Sequence, residues 1–312
     1  MNMPQPPFHI VEVGPRDGFQ MESRTVPTGL KAVVVEMLAE AGLREIQIAA
    51  FVHPRRVPQM ADAEDLVRRL PRNPDARYTG LVLNPRGVDR AADCGLETVE
   101  VSISASDAHG RRNAGLDREA ALATAREMLR LARERGLSVV ASVQCAFGCV
   151  YQGAVPLDHV RAAAEALLGE GVERLTLADT TGMATPPLVA ERVAAVRGIA
   201  GQLPLGLHLH DTRGLGLVNA AAGIAEGVAS LDTAFGGLGG CPFVAGAAGN
   251  IPTEETVYLL ESMGRETGVD RRAVAACSQR MAAFFGHDLP GKLHRLESRE
   301  PAEPSAPVNG RE

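Results

Sequence analysis

EGVERLTLADT, residues 170–180, joins two signals that together set the fold. EGV places Gly171 where a helix C-cap needs a left-handed residue, and RLTLADT follows at once as an apolar run of strand length. The join recurs. AGL (41–43), CGL (94–96), RGL (135–137) and EGV (226–228) are followed by EIQIAAF (45–51), TVEVSISAS (98–106), SVVASVQCAF (138–147) and SLDTAF (230–235). HIVEVG (9–14), ARYTGLVL (76–83) and PLGLHLH (204–210) bring the strands to eight. Between them run amphipathic stretches such as LKAVVVEMLAEAG (30–42) and DREAALATAREMLRLARERG (117–136), with apolar residues three and four apart. Near-continuous apolar strands alternating with helices predict a parallel sheet covered on both faces. Eight units in roughly 240 residues predict an α/β protein of the (β/α)8 TIM-barrel type with a C-terminal helical extension; an open doubly wound sheet is the alternative. One catalytic domain is expected over 8–288, and a disordered tail over 289–312, where the Pro/Ala/Glu-rich ending LESREPAEPSAPVNGRE (296–312) has almost no large apolar residues.

Composition narrows the function. The 312 residues are 45% hydrophobic and carry a formal net charge of −6, which argues against a general nucleic-acid binder. No apolar run approaches the roughly 20 residues of a membrane span, so no membrane partner is expected. The first strand begins near His9, leaving no room for a targeting peptide, and a cytoplasmic location is expected. Five cysteines, an odd number widely spaced, do not form a disulfide framework. Cys145 and Cys149 lack a second pair to complete a zinc site and read as buried structural thiols.

In a barrel, chemistry gathers at the C-terminal ends of the strands. Strand one ends in VGPRDG, giving Arg16 and Asp17; strand two carries Gln47; strand six ends at Asp179; strand seven ends in His208 and His210. The loop after strand eight supplies Cys241 and Asn250. His208 and His210, two apart on a strand, point to the same side, with Leu207 and Leu209 facing the helices. One carboxylate, two imidazoles and an amide oxygen suit a divalent cation, Mg²⁺ or Mn²⁺ rather than zinc, that keeps positions for substrate oxygens. Asp211 points the other way and is expected to cap the next helix or to support a ligand from outside. GGLGGCPFVAGAAGN (236–250) fits neither a dinucleotide fingerprint nor a P-loop and reads as a mobile lid carrying Cys241. AHGRRN (108–113) offers Arg111 and Arg112 for an anionic ligand, although adjacent arginines are commonly a solvated pair.

VEVGPRDGFQ (11–20), FVHPRRVPQM (51–60), LADTTGMATP (177–186), HLHDTRGLGLVN (208–219) and GGLGGCPFVAGAAGNIPTEETVYLLE (236–261) resemble, in order, the blocks of the 3-hydroxy-3-methylglutaryl-CoA lyase family of the DRE-TIM metallolyase superfamily. The similarity covers about residues 8–285, and the cysteine-loop block is specific to the lyase branch. The resemblance implies that Asp17, His208, His210 and Asn250 hold the cation and that Arg16 sits against a substrate oxygen. It further implies that Asp179 or His208 moves a proton, that Cys241 is the catalytic thiol and that Glu254 organises the loop. It implies an acyl-CoA substrate and a homodimer. One position departs: the family's strand-two glutamate is Gln47, which can bond Arg16 but not neutralise it, leaving one more positive charge in the site.

The activity so implied is metal-dependent retro-Claisen cleavage of 3-hydroxy-3-methylglutaryl-CoA to acetyl-CoA and acetoacetate. Gln47 keeps open another 3-hydroxyacyl-CoA such as citramalyl-CoA. A condensing enzyme of the isopropylmalate synthase kind is disfavoured by the cysteine loop and the short polar C-terminus. A barrel that has lost catalysis and survives as a binding protein would be expected to have lost its ligands, yet all four and the thiol are present.

Overall fold

The computed structural model describes residues 7–168, 171–240 and 248–296. Eight parallel strands close into a barrel in sequence order: β1 (His9–Glu12), β2 (Glu45–Ala50), β3 (Arg77–Val82), β4 (Thr98–Ser104), β5 (Ser138–Gln144), β6 (Leu175–Ala178), β7 (Leu205–His208) and β8 (Ser230–Thr233). The closing pair, β8 with β1, is in register over four residues, His9 opposite Ser230 to Glu12 opposite Thr233. The closed barrel is the architecture expected from the sequence; the open sheet is excluded.

Around it lie α1 (Thr28–Glu40), α2 (Ala63–Arg69), α3 (Pro85–Asp93), α4 (Asp107–Asn113), α5 (Arg118–Glu134), α6 (Leu157–Leu168), α7 (Pro186–Ala200) and α8 (Gly216–Ala225). The extension is α9 (Thr253–Ser262) and α10 (Arg271–Phe285). Each glycine read as a helix stop is left-handed: φ is +93° at Gly42, +90° at Gly95, +71° at Gly136, +75° at Gly171 and +79° at Gly227. A side chain there costs about 1–2 kcal/mol, which is why the joint recurs with glycine. Helix starts are capped by side chains: Asn84 accepts from Gly87, Asp117 from Ala120 and Asp270 from Arg272.

Apolar side chains of the strands pack outward against the helices as one core, while polar residues enter the barrel interior. Packing runs past the expected domain end at 288. Leu289 is 1% exposed, His294 is 2% exposed, and Gln279 donates to the His294 carbonyl. The expected tail therefore does not begin at 289; residues 289–296 close over α10, and 297–312 lie outside the described residues. No helix among the described residues is long and apolar enough to cross a membrane.

Candidate active site

β1 runs into a single wide turn of π-helix, Gly14–Gly18, whose sequence GPRDG is buried throughout. Gly14 is required for close approach: a Cβ there would stand 2.6 Å from the Phe235 ring and 2.7 Å from Glu12 Oε1. The turn aims Arg16 and Asp17 over the C-terminal mouth of the barrel, where both line a cavity of about 810 Å³ with His208 and His210. No sequence signal distinguishes this wide turn from an ordinary loop.

Four side chains from three distant segments meet there. His208 Nε2 lies 3.8 Å and His210 Nε2 3.7 Å from Asp17 Oδ2, and the two Nε2 atoms are 3.1 Å apart. Asn250 Nδ2 donates to Asp17 Oδ2 at 2.9 Å. All four residues are buried. Two ligands in adjacent positions on a cation with bonds of about 2.1 Å stand about 3 Å apart, the separation of the two imidazole nitrogens. Asn250 Oδ1 is buried and has no hydrogen-bond partner, an acceptor whose desolvation is uncompensated within the chain. Asp17, His208 and His210 thus fit a divalent cation in donor type and convergence.

The neighbours hold Asp17 in its ligand form, the carboxylate. Burial by itself would raise the Asp17 carboxyl, but the Arg16 guanidinium beside it, the His210 hydrogen bond and the nearby imidazoles hold it well below the usual carboxylate range. Gln20 Nε2 donates to Asp17 Oδ1 at 2.8 Å. Asp232, on β8, lies 3.3 Å from His208 Nδ1 and orients the ring with Nε2 toward the cluster. Burial disfavours the His208 cation, yet the Asp232 hydrogen bond and the charge of Asp17 raise its pKa overall. Asp211 accepts from the N–H of Gly216, the first residue of α8, so it caps that helix as its reversed direction suggested.

Arg16 is held from two sides: Nη1 donates to Asp17 Oδ1 and Nε donates to Gln47 Oε1. Gln47 then donates its amide N–H to Glu100 Oε2. A carboxylate on β4, Glu100, thus stands one amide away from Arg16. Glu100, Ser102 and Ser104 alternate with Val99, Val101 and Ile103, and Ser142 and Gln144 alternate on β5. Reading those strands as continuous apolar runs missed these inward groups; the alternation was the available signal.

Asp179 does not line the cavity, although its neighbours Ala178 and Thr180 do. Its oxygens accept from the N–H groups of Met183 at 2.7 Å and Ala184 at 3.1 Å, shaping the turn after β6, and burial raises its pKa. Glu254, at the start of α9, accepts from Gly236 N–H at 2.9 Å and from the Ser278 hydroxyl. That bond fixes the first residue of the Gly-rich loop, and burial pushes the Glu254 carboxyl up to about 7. Arg111 and Arg112 are exposed on α4 and outside the cavity lining, and the Arg112 guanidinium stacks 4.0 Å over the Tyr151 ring. The arginine at the cavity mouth is Arg56, anchored at 3.2 Å to the Asn113 carbonyl. Cys241 lies outside the described residues. The neck of its loop is tight: a Cβ on Gly249 would meet Gly239 backbone at 2.4 Å.

Residues 7–281 match the family model described as HMGL-like. The chain is 38% identical over 280 residues to the hydroxymethylglutaryl-CoA lyase of Pseudomonas mevalonii, covering 89% of this chain and 92% of that one. It is 39% identical over 295 residues to the (R)-citramalyl-CoA lyase of Chloroflexus aurantiacus, covering 90% and 92%. A solved structure of an HMG-CoA lyase from Acinetobacter baumannii, in complex with coenzyme A and 3-methylmalate, superposes with a TM-score of 0.90 at 35% identity, covering 95% of this chain and 97% of that one. With a matching barrel, a site built from the motifs that carried the resemblance and relatives named as lyases, the chain belongs to the HMGL-like family of lyases.

Proposed function

We propose that this protein is a divalent-metal-dependent carbon–carbon lyase that cleaves 3-hydroxy-3-methylglutaryl-CoA to acetyl-CoA and acetoacetate. The observation that carries the reading is the meeting of Asp17, His208 and His210 at the floor of a cavity of about 810 Å³ at the barrel's C-terminal end. Asp17, His208, His210 and Asn250 are the residues that would hold the cation, Mg²⁺ or Mn²⁺. When bound, it would supply Lewis acidity that stabilises negative charge on the substrate's 3-oxygen.

The chain's own residues do the rest. Arg16, locked between Asp17 and Gln47, presents its remaining guanidinium donors to the oxygen on which charge develops. The hydroxyl proton passes to water in the cavity, while Asp232 on Nδ1 keeps the His208 ring turned with Nε2 toward the cluster. The C2–C3 bond then breaks, its electron pair passes into the thioester enolate, and the 3-oxygen becomes the ketone of acetoacetate. Cys241 delivers a proton to C2, giving acetyl-CoA. Asp179 holds the turn at 179–184 against the mouth, and Glu254 anchors the entry of the cysteine loop. Arg56 at the mouth is better placed than Arg111 or Arg112 for the CoA phosphates. The cytoplasmic location and the homodimer belong to the same reading.

A second reading, a lyase for citramalyl-CoA, is supported by Gln47 where the family has a glutamate and by the similarity to a citramalyl-CoA lyase. Purified protein with Mg²⁺ or Mn²⁺ and a panel of 3-hydroxyacyl-CoAs separates the two. Acetyl-CoA release is expected with 3-hydroxy-3-methylglutaryl-CoA; release from citramalyl-CoA alone selects the second reading, and release from none contradicts both. Cys241→Ser is expected to keep metal and CoA binding while turnover falls by about 10² to 10⁴-fold.

A further inference from the structure

Arg16 is 7% exposed, and its nearest carboxylate, Asp17, is also the residue that faces the two imidazoles. If Asp17 spends its charge on a cation, a buried guanidinium is left with a neutral amide as its other partner, an arrangement that is strongly destabilising without compensation. Gln47 shows where the compensation is. An amide has one acceptor and one donor group; a guanidinium only donates and an ionised carboxylate only accepts. With Oε1 on Arg16 Nε and Nε2 on Glu100 Oε2, the Gln47 amide is oriented between a cation and an anion and cannot turn over without losing both. The far end is also fixed, because Ser142 Oγ donates to Glu100 Oε1 and lies 2.7 Å from Ser102 Oγ. The chain of contacts joins the turn after β1 to three strands, β2, β4 and β5, and the register of β2 shifts between Gln47 and Ala49, the kind of irregularity that re-aims a side chain.

We propose that Glu100 is the positioning residue for Arg16: it supplies the guanidinium's counter-charge from β4 through Gln47, so that Gln47 and Glu100 work as a matched pair. The inference rests on the oxyanion role given to Arg16 above. A carboxylate at both positions would bring two like charges into hydrogen-bond distance, and an amide at both would leave Arg16 to lean on Asp17 alone. Exchanging the two should therefore restore what either single change removes.

Glu100→Gln, Gln47→Glu and the double exchange, made in the full chain, test this by acetyl-CoA release and by Mn²⁺ titration calorimetry. Each single variant is expected to lower kcat about 10 to 100-fold with KM within about threefold, and to weaken Mn²⁺ by a similar factor, the range for groups that orient ligands from behind. The double exchange is expected to recover to within about fivefold of the parent in both readouts. A double variant no better than Glu100→Gln, or a Glu100→Gln protein with unchanged kcat and Mn²⁺ affinity, overturns the proposal. Should the parent cleave no hydroxyacyl-CoA, the proposed function fails, and the Mn²⁺ cycle alone still decides the pairing. Thermal midpoints of all three variants show whether a loss is one of folding; a singly substituted protein that unfolds but is rescued by the exchange supports the pair, and one that is not rescued overturns it.

Discussion

At the N-terminal end of the barrel, Glu45 meets Arg174 in two hydrogen bonds of 2.9 and 2.6 Å, and His9 adds a third at 2.9 Å. At the other end, Asp17, His208 and His210 converge with one another, and the Asn250 amide oxygen beside them is buried without a partner. Both ends hold buried charge. At the lower end each carboxylate oxygen faces a guanidinium donor, so the opposite charges pair one to one, and the orphaned atom, Arg174 Nε, belongs to the pair itself. At the upper end, the nitrogen and oxygen donors of Asp17, His208 and His210 face a common point. Convergence of donors, more than burial or polarity, separates the functional end from the structural one.

The contrast can be broken first from below. Glu45→Ala strands the buried Arg174 charge and is expected to cost about 3–5 kcal/mol in urea unfolding while leaving Mn²⁺ affinity unchanged. A matching loss of Mn²⁺ affinity would show that the two ends are not separate in function. From above, Asp232→Asn removes the carboxylate behind His208 and is expected to weaken Mn²⁺ binding about 10 to 100-fold, read by calorimetry, with little change in unfolding free energy.

A third test concerns the buried acids beside the cysteine loop. Burial pushes the Glu12 carboxyl up to about 8, against the hydrogen bonds from Thr253, Gly14 and Phe235 that lower it. Its folded pKa lies above the unfolded one, so its stabilising contribution is complete below about pH 4.5 and is lost as pH rises through 8. Unfolding free energy should fall between pH 5 and 8 with a slope of up to about 1.4 kcal/mol per pH unit from this group, and Glu12→Gln should flatten it. An unchanged slope in the variant would assign the effect elsewhere. The smallest effect separates the two arginine sites: Arg56→Ala is expected to raise KM for the acyl-CoA about tenfold, whereas Arg112→Ala should change it less than about twofold. The reverse order would return the phosphate site to α4.

Much of this was legible in the sequence. The barrel followed from glycine stops before strand-length apolar runs, since both signals are local. His208 and His210 followed from strand period two. The wide GPRDG turn was not legible, because nothing in the local sequence marks a π-turn. Glu100 and Asp232 stay hidden because each sits inside a strand rather than at its end, and only barrel closure shows that one reaches Gln47 and the other His208. Asp179 looked like a site residue at a strand end, but backbone N–H groups of the following turn claim its oxygens. The early tail boundary came from the polar 296–312 run; the burial of Leu289 and His294 is a tertiary effect that composition does not register.

The central claim is that one divalent ion is held where Asp17, His208, His210 and Asn250 meet. Calorimetric titration of the metal-stripped full chain with Mn²⁺, beside Asp17→Ala, tests it directly. One ion per chain is predicted, with affinity at least about 100-fold weaker in the variant; equal affinity in the two proteins would contradict the account.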